Sequence, residues 1–270
     1  MIKQAVRFVG AIPANYDSGL VPHLFADYAV DLARRAAAAK PSRVLEIAAG
    51  TGIVTRMLRD ALPDSTYLLA SDLNPPMLEI ARQKFRADER VEFQPADTTA
   101  LPFDDGAFDT LVCQFGVMFF PDKDKSYREA YRVLSRGGLY HFNVWDSFDF
   151  NPFARISHEI VGGFFGQQAP SFFTVPFGYH RIDTIKASLL GAGFEDISVH
   201  VLRIDTPIPE ARQFAEGLVL GTPIIAEISA RGITDPNVIV VAVTAALHRA
   251  FGKAAGCMSS QAIVFCALKR

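Results

Sequence analysis

The chain has 270 residues, half of them apolar, which is enough for one large domain with a sizeable core and argues against disorder. Its 27 basic and 29 acidic residues leave a net charge of −2 and form no Lys/Arg block, which disfavours a nucleic-acid partner. No apolar run approaches the roughly 18 residues of a membrane span, so we expect neither such a span nor a secretory leader.

The three cysteines have neither paired nor metal-ligand spacing. Cys113 and Cys266 lie inside apolar, strand-like runs, and Cys257 precedes the last of these. We therefore expect reduced core thiols in a cytoplasmic protein that has no metal site.

Helical and strand-like patterns alternate along the first half of the chain, beginning with a predicted helix over Leu20 to Ala39. Strands are predicted at Arg43 to Ile47, Thr66 to Ser71, Val91 to Pro95, Phe108 to Gln114 and Gly138 to Trp145. The helices between them are predicted at Gly52 to Asp60, Pro75 to Phe85 and Asp122 to Leu134. This alternation predicts an α/β fold with a doubly wound, mostly parallel sheet.

Two insertions interrupt the second half of the chain. The first, Phe148 to Phe177, is rich in Phe and Gly, and the second, Pro207 to Gly256, is mainly helical. Two more strands are predicted, over Phe194 to Ile204 and Gln261 to Leu268, which brings the sheet to seven strands. A helix is predicted before them, over Ile182 to Leu190. We predict one composite domain, made of an N-terminal helix and core (1–146), a cap insertion (147–181), a core continuation (182–206), a second cap insertion (207–256) and a final core strand (257–270).

Three acids lie at the ends of successive predicted strands: Glu46 before the small-residue turn, Asp72 after the second strand and Asp97 after the third. Ligands of open α/β sheets bind outside the carboxyl ends of the strands, so these acids mark the expected site. Gly-rich turns there usually cradle a phosphate, but the turn in Val44 to Thr55 carries Glu46 and has no Lys or Arg before Arg56. The acids suit a ligand with a ribose, an exocyclic amine and a positive charge but no phosphate, as in S-adenosylmethionine.

The motifs in this region resemble those of a known family. The segment "VLEIAAGTGIVT" is similar to the glycine motif of class I S-adenosylmethionine-dependent methyltransferases. The segments "PADTTALPFDDGAFDTLVCQFGVMFFPD" and "EAYRVLSRGGLYHFNVWD" resemble later motifs of the small-molecule, ubiquinone/menaquinone methyltransferase-like (type 11) branch. The resemblance covers Tyr16 to Trp145, resumes at "LLGAGFEDISVHVL", and omits both insertions. It implies a Rossmann-like methyltransferase fold.

The resemblance also implies a position for each part of the cofactor. On the methionine side, it places the backbone of Gly50 and Gly52 beside the ligand, with Glu46 supporting their loop. Gln114 and Phe115, which leave the fourth strand, would line the same side.

On the nucleoside side, the resemblance implies that Asp72 hydrogen-bonds the ribose hydroxyls, while Leu73 and Met77 flank the adenine. Asp97 would accept a hydrogen bond from the adenine N6 amine, with the Thr98 backbone nearby.

Two further positions belong to this expected cofactor site. Tyr16 matches the N-terminal segment that closes over the cofactor in the family. Ala48 replaces the family's usual first glycine. A methyl group is tolerated there if the backbone φ is negative, so we expect the exchange to be minor.

The acceptor side is predicted from the aromatic first insertion and its borders. Concave small-molecule sites are mostly apolar, so Trp145, Phe172, Phe173 and Tyr179 are candidates for an acceptor pocket, although a lid packed on itself would have the same composition. His180 is the best candidate for a general base, assisting at most.

Together these features predict methyl transfer from S-adenosylmethionine to an O, N or C atom of a small, apolar or aromatic metabolite, by a monomer or homodimer. Two alternatives stay open. An NAD-dependent oxidoreductase needs glycines that admit a pyrophosphate, which Glu46 beside the turn opposes. A non-catalytic S-adenosylmethionine-binding protein is compatible with every motif.

Overall fold

The computed structural model describes residues 7–207, 210–232, 235–252 and 257–270. Its strands are β1 Arg43–Ile47, β2 Tyr67–Asp72, β3 Glu92–Pro95, β4 Phe108–Gln114, β5 Leu134–Trp145, β6 Glu195–Pro207 and β7 Cys257–Leu268. They form one sheet in the order β3-β2-β1-β4-β5-β7-β6. Strands β1 to β5 pair in parallel. The predicted seven-stranded, mostly parallel α/β fold is therefore confirmed.

Strand β7 runs antiparallel to β5. Near the start of β5, the Gly137 amide donates to the Lys269 carbonyl. Further along β5, the Phe142 ring stacks on Phe265, which is earlier in the chain than Lys269, so the two strands run in opposite directions. Lys269, just after β7, also holds the end of the helix before β5, because its Nζ donates to the Leu134 carbonyl at 2.6 Å.

Among the α-helices of the described residues, the first two precede β1 and the others lie in the connections between strands. The helices are α1 Ile12–Gly19, α2 Ala26–Ala38, α3 Ile53–Ala61, α4 Pro75–Arg82, α5 Lys123–Val133, α6 Pro152–Gly163, α7 Ile182–Gly191, α8 Ala211–Leu220, α9 Ile224–Ala230 and α10 Asn237–Phe251. In the part of the chain that the structure describes, no helix combines the length and apolar character needed to cross a bilayer.

Three local expectations were wrong. The helix expected over Leu20 to Ala39 begins as a π-helical turn, Val21–Phe25, and becomes α-helical only from Ala26 onward. Strand β5 begins four residues before Gly138, beside a register shift against β4 that the polar, glycine-containing sequence does not signal. Cys257 is exposed at the start of β7 rather than in the core, although all three thiols are free.

The centre of the sheet is built from uninterrupted apolar runs, as expected for parallel strands covered on both faces. Val44, Leu45 and Ile47 of β1 are each no more than 1% exposed. This burial positions the carboxyl end of β1, where the glycine-containing turn begins.

The chain divides into two compact units, which we describe separately. The core unit comprises residues 27–144, 180–201 and 263–270, and it contains β1 to β4. The insertion unit comprises residues 7–26, 145–179 and the described part of 202–262. It therefore joins α1 to most of both predicted insertions, whereas nearly all of α2 belongs to the core unit. Residues 208–209, 233–234 and 253–256 of the second insertion, and residues 1–6, lie outside the described residues.

Within the insertion unit, α1 and α8 meet at two glycines. A methyl group placed on Gly19 would lie 2.6 Å from Gly217 Cα, and one placed on Gly217 would lie 2.7 Å from the Gly19 carbonyl carbon. These neighbours are backbone atoms, which cannot move aside as a flexible side chain can. The two helices approach this closely only because both positions lack a side chain.

We therefore expect Gly217→Ala to lower the free energy of unfolding by about 1 to 3 kcal/mol, the usual cost of overpacking a close contact. Chemical denaturation measures this change. The control is Gly163→Ala at the end of α6, where an added methyl group has no atom within 4 Å. Equal stability of the two variants would contradict the close α1–α8 contact.

Aromatic rings connect the remaining parts of the insertion unit. Tyr16 stacks on Phe25 at 5.2 Å between ring centroids, and the Phe25 ring lies 6.1 Å from that of Trp145. Trp145 stacks on Phe177 at 5.9 Å, which in turn stacks on Phe148 at 5.3 Å. The N-terminal segment and the first insertion thus share one aromatic cluster.

Candidate active site

The candidate site lies at the carboxyl ends of β1, β2 and β4 in the core unit. Because β1 pairs with both β2 and β4, the order of connections reverses between β1 and β4. Open α/β sheets bind their ligands at such a switch point. The ends of these strands and the loops after them hold most of the positions expected to bind the cofactor.

Glu46 is a buried acid on β1, only 1% exposed. Its Oε2 accepts a hydrogen bond of 2.6 Å from the Thr55 hydroxyl on α3. Burial raises the pKa of Glu46 to about 8, against the lowering effect of the Thr55 hydrogen bond and with a further increase from the charge of Asp72. This carboxyl group connects the strand before the glycine turn with the helix after it.

Asp72 is a second buried acid, at the end of β2. Its Oδ2 accepts from the Gly50 amide at 2.9 Å, and its Oδ1 accepts from the Asn74 amide at 2.8 Å. Burial raises the pKa of Asp72, while these hydrogen bonds lower it. The carboxylate thus holds the turn after β1 to the turn after β2.

The turn after β1 contains two glycines with different roles. Gly50 has φ of 58°, and a methyl group placed on it would meet only Met77 Cε, at 3.5 Å. Gly52 has φ of 83°, and a methyl group there would lie 2.7 Å from Ala81 Cβ on α4. Close helix packing therefore requires Gly52. Between them, the buried Thr51 Oγ1 has no hydrogen-bond partner among the described residues, and no sequence motif indicated this position.

The expectation for Ala48 was wrong. Its φ is 53°, in the left-handed region, so the alanine occupies a conformation that favours glycine. Its methyl group lies against Gly116 in the turn after β4, because a methyl group placed on Gly116 would be 2.5 Å from Ala48 Cβ. The exchange of glycine for alanine at position 48 therefore depends on a glycine at position 116.

We expect Ala48→Gly to raise the free energy of unfolding by about 0.5 to 1 kcal/mol, because the relieved backbone strain exceeds the entropy that glycine adds to the unfolded chain. The control is Ala49→Gly, at a buried neighbour outside the left-handed region, which should lower stability instead. Urea denaturation of both variants checks the prediction, and destabilisation by both would contradict it.

Asn143, which no sequence motif indicated, holds the turn at the end of β4. Phe115 has φ of 51°, although it is bulky and buried. Its amide donates to the side-chain Oδ1 of Asn143 on β5, at 3.0 Å. Asn143 Nδ2 lies 3.5 Å from Gln114 Oε1. Only the pairing of β4 with β5 brings these residues together, so no local signal could have found Asn143.

The remaining nucleoside-side positions lie after β2 and β3. Leu73 is 51% exposed, whereas Met77 is buried on α4. Asp97 is exposed, and its Oδ1 accepts from the amide and the hydroxyl of Thr99, both at 2.8 Å. Thr98 is buried beside it.

Comparison with known proteins adds a family to this geometry. A methyltransferase-domain profile matches residues 44–138. The chain is 46% identical to demethylmenaquinone methyltransferase from Thermus thermophilus over 41% of this chain and 49% of that protein, so it spans about half the length of that relative. It is 30% identical to the Escherichia coli ubiquinone/menaquinone biosynthesis C-methyltransferase over 59% of this chain and 68% of that protein.

The chain belongs to the class I S-adenosylmethionine-dependent methyltransferases of the ubiquinone/menaquinone type. The predicted family is thereby confirmed. The fold of this methyltransferase is also that of a Haemonchus contortus phosphoethanolamine N-methyltransferase solved with S-adenosylhomocysteine, with a TM-score of 0.59 and 18% identity over 96% of this chain and 56% of that one.

The site of this methyltransferase fits the cofactor of its family. Gly50 leaves a space that a side chain would fill, and Thr51 presents a buried hydroxyl group without a partner among the described residues. Neither Glu46 nor Asp72 forms an ion pair with a lysine or arginine in the part of the chain that is described. Two buried acids without a protein cation suit a ligand that carries positive charge.

The expected acceptor-side residues of the methyltransferase are mostly buried in the insertion unit. Trp145, Phe172 and Phe173 are each less than 5% exposed, and the last two rings pack edge to face at 5.6 Å. Tyr179, in the insertion unit, and His180, in the core unit, are half-buried. Their roles in acceptor binding and catalysis stay predictions, as do the individual cofactor contacts and the closure of Tyr16 over the cofactor.

Proposed function

We propose that this chain transfers a methyl group from S-adenosylmethionine to a small, apolar, ring-bearing acceptor of the quinone type. The observation that carries the proposal is the pair of buried acids, Glu46 and Asp72, beside the glycine turn of a methyltransferase fold. The names of the two relatives, which include menaquinone and ubiquinone, support the acceptor class.

The residues of the site hold and orient the reactants. When bound, S-adenosylmethionine supplies an activated methyl group on its sulfonium. Asp72 would bind the ribose hydroxyls, Asp97 the adenine amine and Glu46 would support the loop beside the methionine part. Orientation at near-attack distance and exclusion of water can then supply roughly 7 to 11 kcal/mol of the barrier reduction.

The acceptor residues are proposed to come from the two insertions. The first insertion, which follows Trp145 in the chain, supplies Phe172, Phe173 and Tyr179. The aromatic content of these segments suits a planar, apolar acceptor. We further propose a cytoplasmic monomer or homodimer, with its thiols reduced.

Isothermal titration with S-adenosylhomocysteine and with NADH tests the cofactor. We expect binding of the first and not of the second, and the reverse would identify an oxidoreductase. A panel of reduced quinones, phenols, amines and fatty acids, followed by S-adenosylhomocysteine release, tests the acceptor. Cofactor binding without turnover of any panel member would favour a non-catalytic binding protein.

We expect His180→Ala to lower kcat by less than about 100-fold, because positioning outweighs the contribution of a single base. The measurement is kcat against pH on the best acceptor, with exposed His200→Ala as the matched control. A loss above about 1000-fold, together with the disappearance of one limb of the pH profile, would show His180 to be the base. If a carbon atom is methylated, a ring proton must leave, so a general base contributes more to the reaction.

A further inference from the structure

The turn that follows β4 holds a strained, buried aromatic residue. Phe115 is 6% exposed, has φ of 51° and packs edge to face on Tyr28 at 5.4 Å. A bulky residue in this region is strained and persists only where its surroundings impose that conformation. The cause must therefore lie in the groups that contact this turn.

Asn143 is the group that imposes it from β5. The Phe115 amide donates to both the backbone oxygen of Asn143, at 3.2 Å, and its Oδ1, at 3.0 Å. Asn143 is 1% exposed, so its side-chain amide is shielded from water and must be satisfied within the protein. The strained backbone at Phe115 is thus hydrogen-bonded to both the main chain and the side chain of Asn143 on the neighbouring strand.

The same hydrogen bond determines which way Asn143 faces. Since Oδ1 accepts from Phe115, Nδ2 must point the other way, and it lies 3.5 Å from Gln114 Oε1. An amide nitrogen can only donate, so it requires the oxygen end of the Gln114 side chain. Gln114 Nε2 is therefore the end directed away from Asn143.

Ala48 restricts the turn from the side of β1. Its Cβ occupies the space beside Gly116, which leaves no room for a side chain at position 116. Cys113 Sγ borders the same space, at 2.8 Å from a methyl group placed on Gly116. Gln114 and Phe115 are held between these contacts on one side and Asn143 on the other.

We propose that Asn143 is a positioning residue of the cofactor site. It keeps the turn after β4 in its left-handed conformation and presents Gln114 Nε2 as a hydrogen-bond donor to a carboxylate or carbonyl oxygen of the ligand. The methionine carboxylate of the cofactor is such a group. This inference rests on the proposed function, because it assumes that the cofactor binds beside Gln114.

The test is a double-mutant cycle on S-adenosylhomocysteine binding, measured by calorimetry. We expect Asn143→Ala and Gln114→Ala each to raise Kd by about 5-fold to 30-fold, and the double variant to be no weaker than the weaker single variant. Additive effects would overturn the inference, since Asn143 would then not act through Gln114.

A second variant separates presentation of the donor from folding. Gln114→Glu keeps an oxygen for Asn143 Nδ2 but has no donor for the ligand, so Kd should rise at least 10-fold while Tm stays near that of the wild type. His141→Asn is the matched structural control, since it changes a buried polar residue two positions earlier on the same strand. It should lower Tm without changing Kd.

The outcomes distinguish the inference from the proposed function. If the wild type binds S-adenosylhomocysteine and Asn143→Ala binds it equally well at a lower Tm, Asn143 is only structural. If the wild type does not bind the ligand, the proposed function itself fails.

Discussion

Replacing Asp72 by alanine is expected to weaken S-adenosylhomocysteine binding by about 1 to 3 kcal/mol, or about 5-fold to 150-fold in Kd. The substitution leaves the Gly50 and Asn74 amides without the acceptor that now holds both turns. It also removes the group proposed to bind the ribose hydroxyls. Both effects act on the same loop, so the loss of affinity should be among the largest at this site.

Asp109→Ala is the matched control for this experiment. Asp109 also accepts from two backbone amides, those of Ser42 at 2.8 Å and Arg43 at 3.1 Å, but it does so at the start of β1. Its loss should lower stability and leave Kd unchanged. Unchanged affinity in Asp72→Ala as well would show that the cofactor does not lie at the end of β2.

Glu46→Gln is expected to stabilise the protein increasingly as pH rises. The pKa of Glu46 is about 8 in the folded protein and 4.5 in an ordinary environment, so between these values the folded state binds one more proton than the unfolded state. Stability of the wild type therefore falls with rising pH across this window, by up to about 5 kcal/mol above pH 8. Glutamine still accepts from Thr55 but never ionises, so it abolishes this loss.

The measurement is urea denaturation of the wild type and Glu46→Gln at intervals from pH 5 to pH 9. Glu129→Gln is the control, and it should lower stability where Glu46→Gln raises it. Arg132 lowers the pKa of Glu129, so the charge of Glu129 stabilises the folded state above pH 4.5. Parallel stability curves for the wild type and Glu46→Gln would show that Glu46 ionises as easily in the folded protein as in water.

The same carboxyl group connects stability with ligand binding. A cationic ligand beside Glu46 favours its ionised form, so binding of S-adenosylmethionine near pH 7.5 should release a proton. Calorimetry in buffers of different ionisation enthalpy detects that proton, and Glu46→Gln should eliminate it. Equal proton release by both proteins would place the ligand's positive charge away from Glu46.

Strands and acids were predictable because their signals are local. The apolar run of β1 and the run of β4 were predicted with the bounds that the structure has, since each is buried on both faces and bordered by polar turns. Glu46 and Asp72 were recognised because the fold class alone places strand ends at the ligand site.

Features that depend on contacts distant in sequence were not predictable. The left-handed φ of Ala48 depends on Gly116, which is 68 positions away in the chain but adjacent across β1 and β4. The role of Asn143 depends on the pairing of β4 with β5, and the early start of β5 on a register shift between these strands.

By itself, the sequence determined the order of the seven strands along the chain, the methyltransferase family and the positions of Glu46 and Asp72 at strand ends, because hydrophobic periodicity and short motifs are properties of neighbouring residues. Only the tertiary structure decided that α1 and most of both insertions form one unit, that Gly19 and Gly217 meet, and that Asn143 Nδ2 lies 3.5 Å from Gln114 Oε1. These contacts arise when backbone groups far apart in the chain are packed and must satisfy each other's volume and hydrogen bonds.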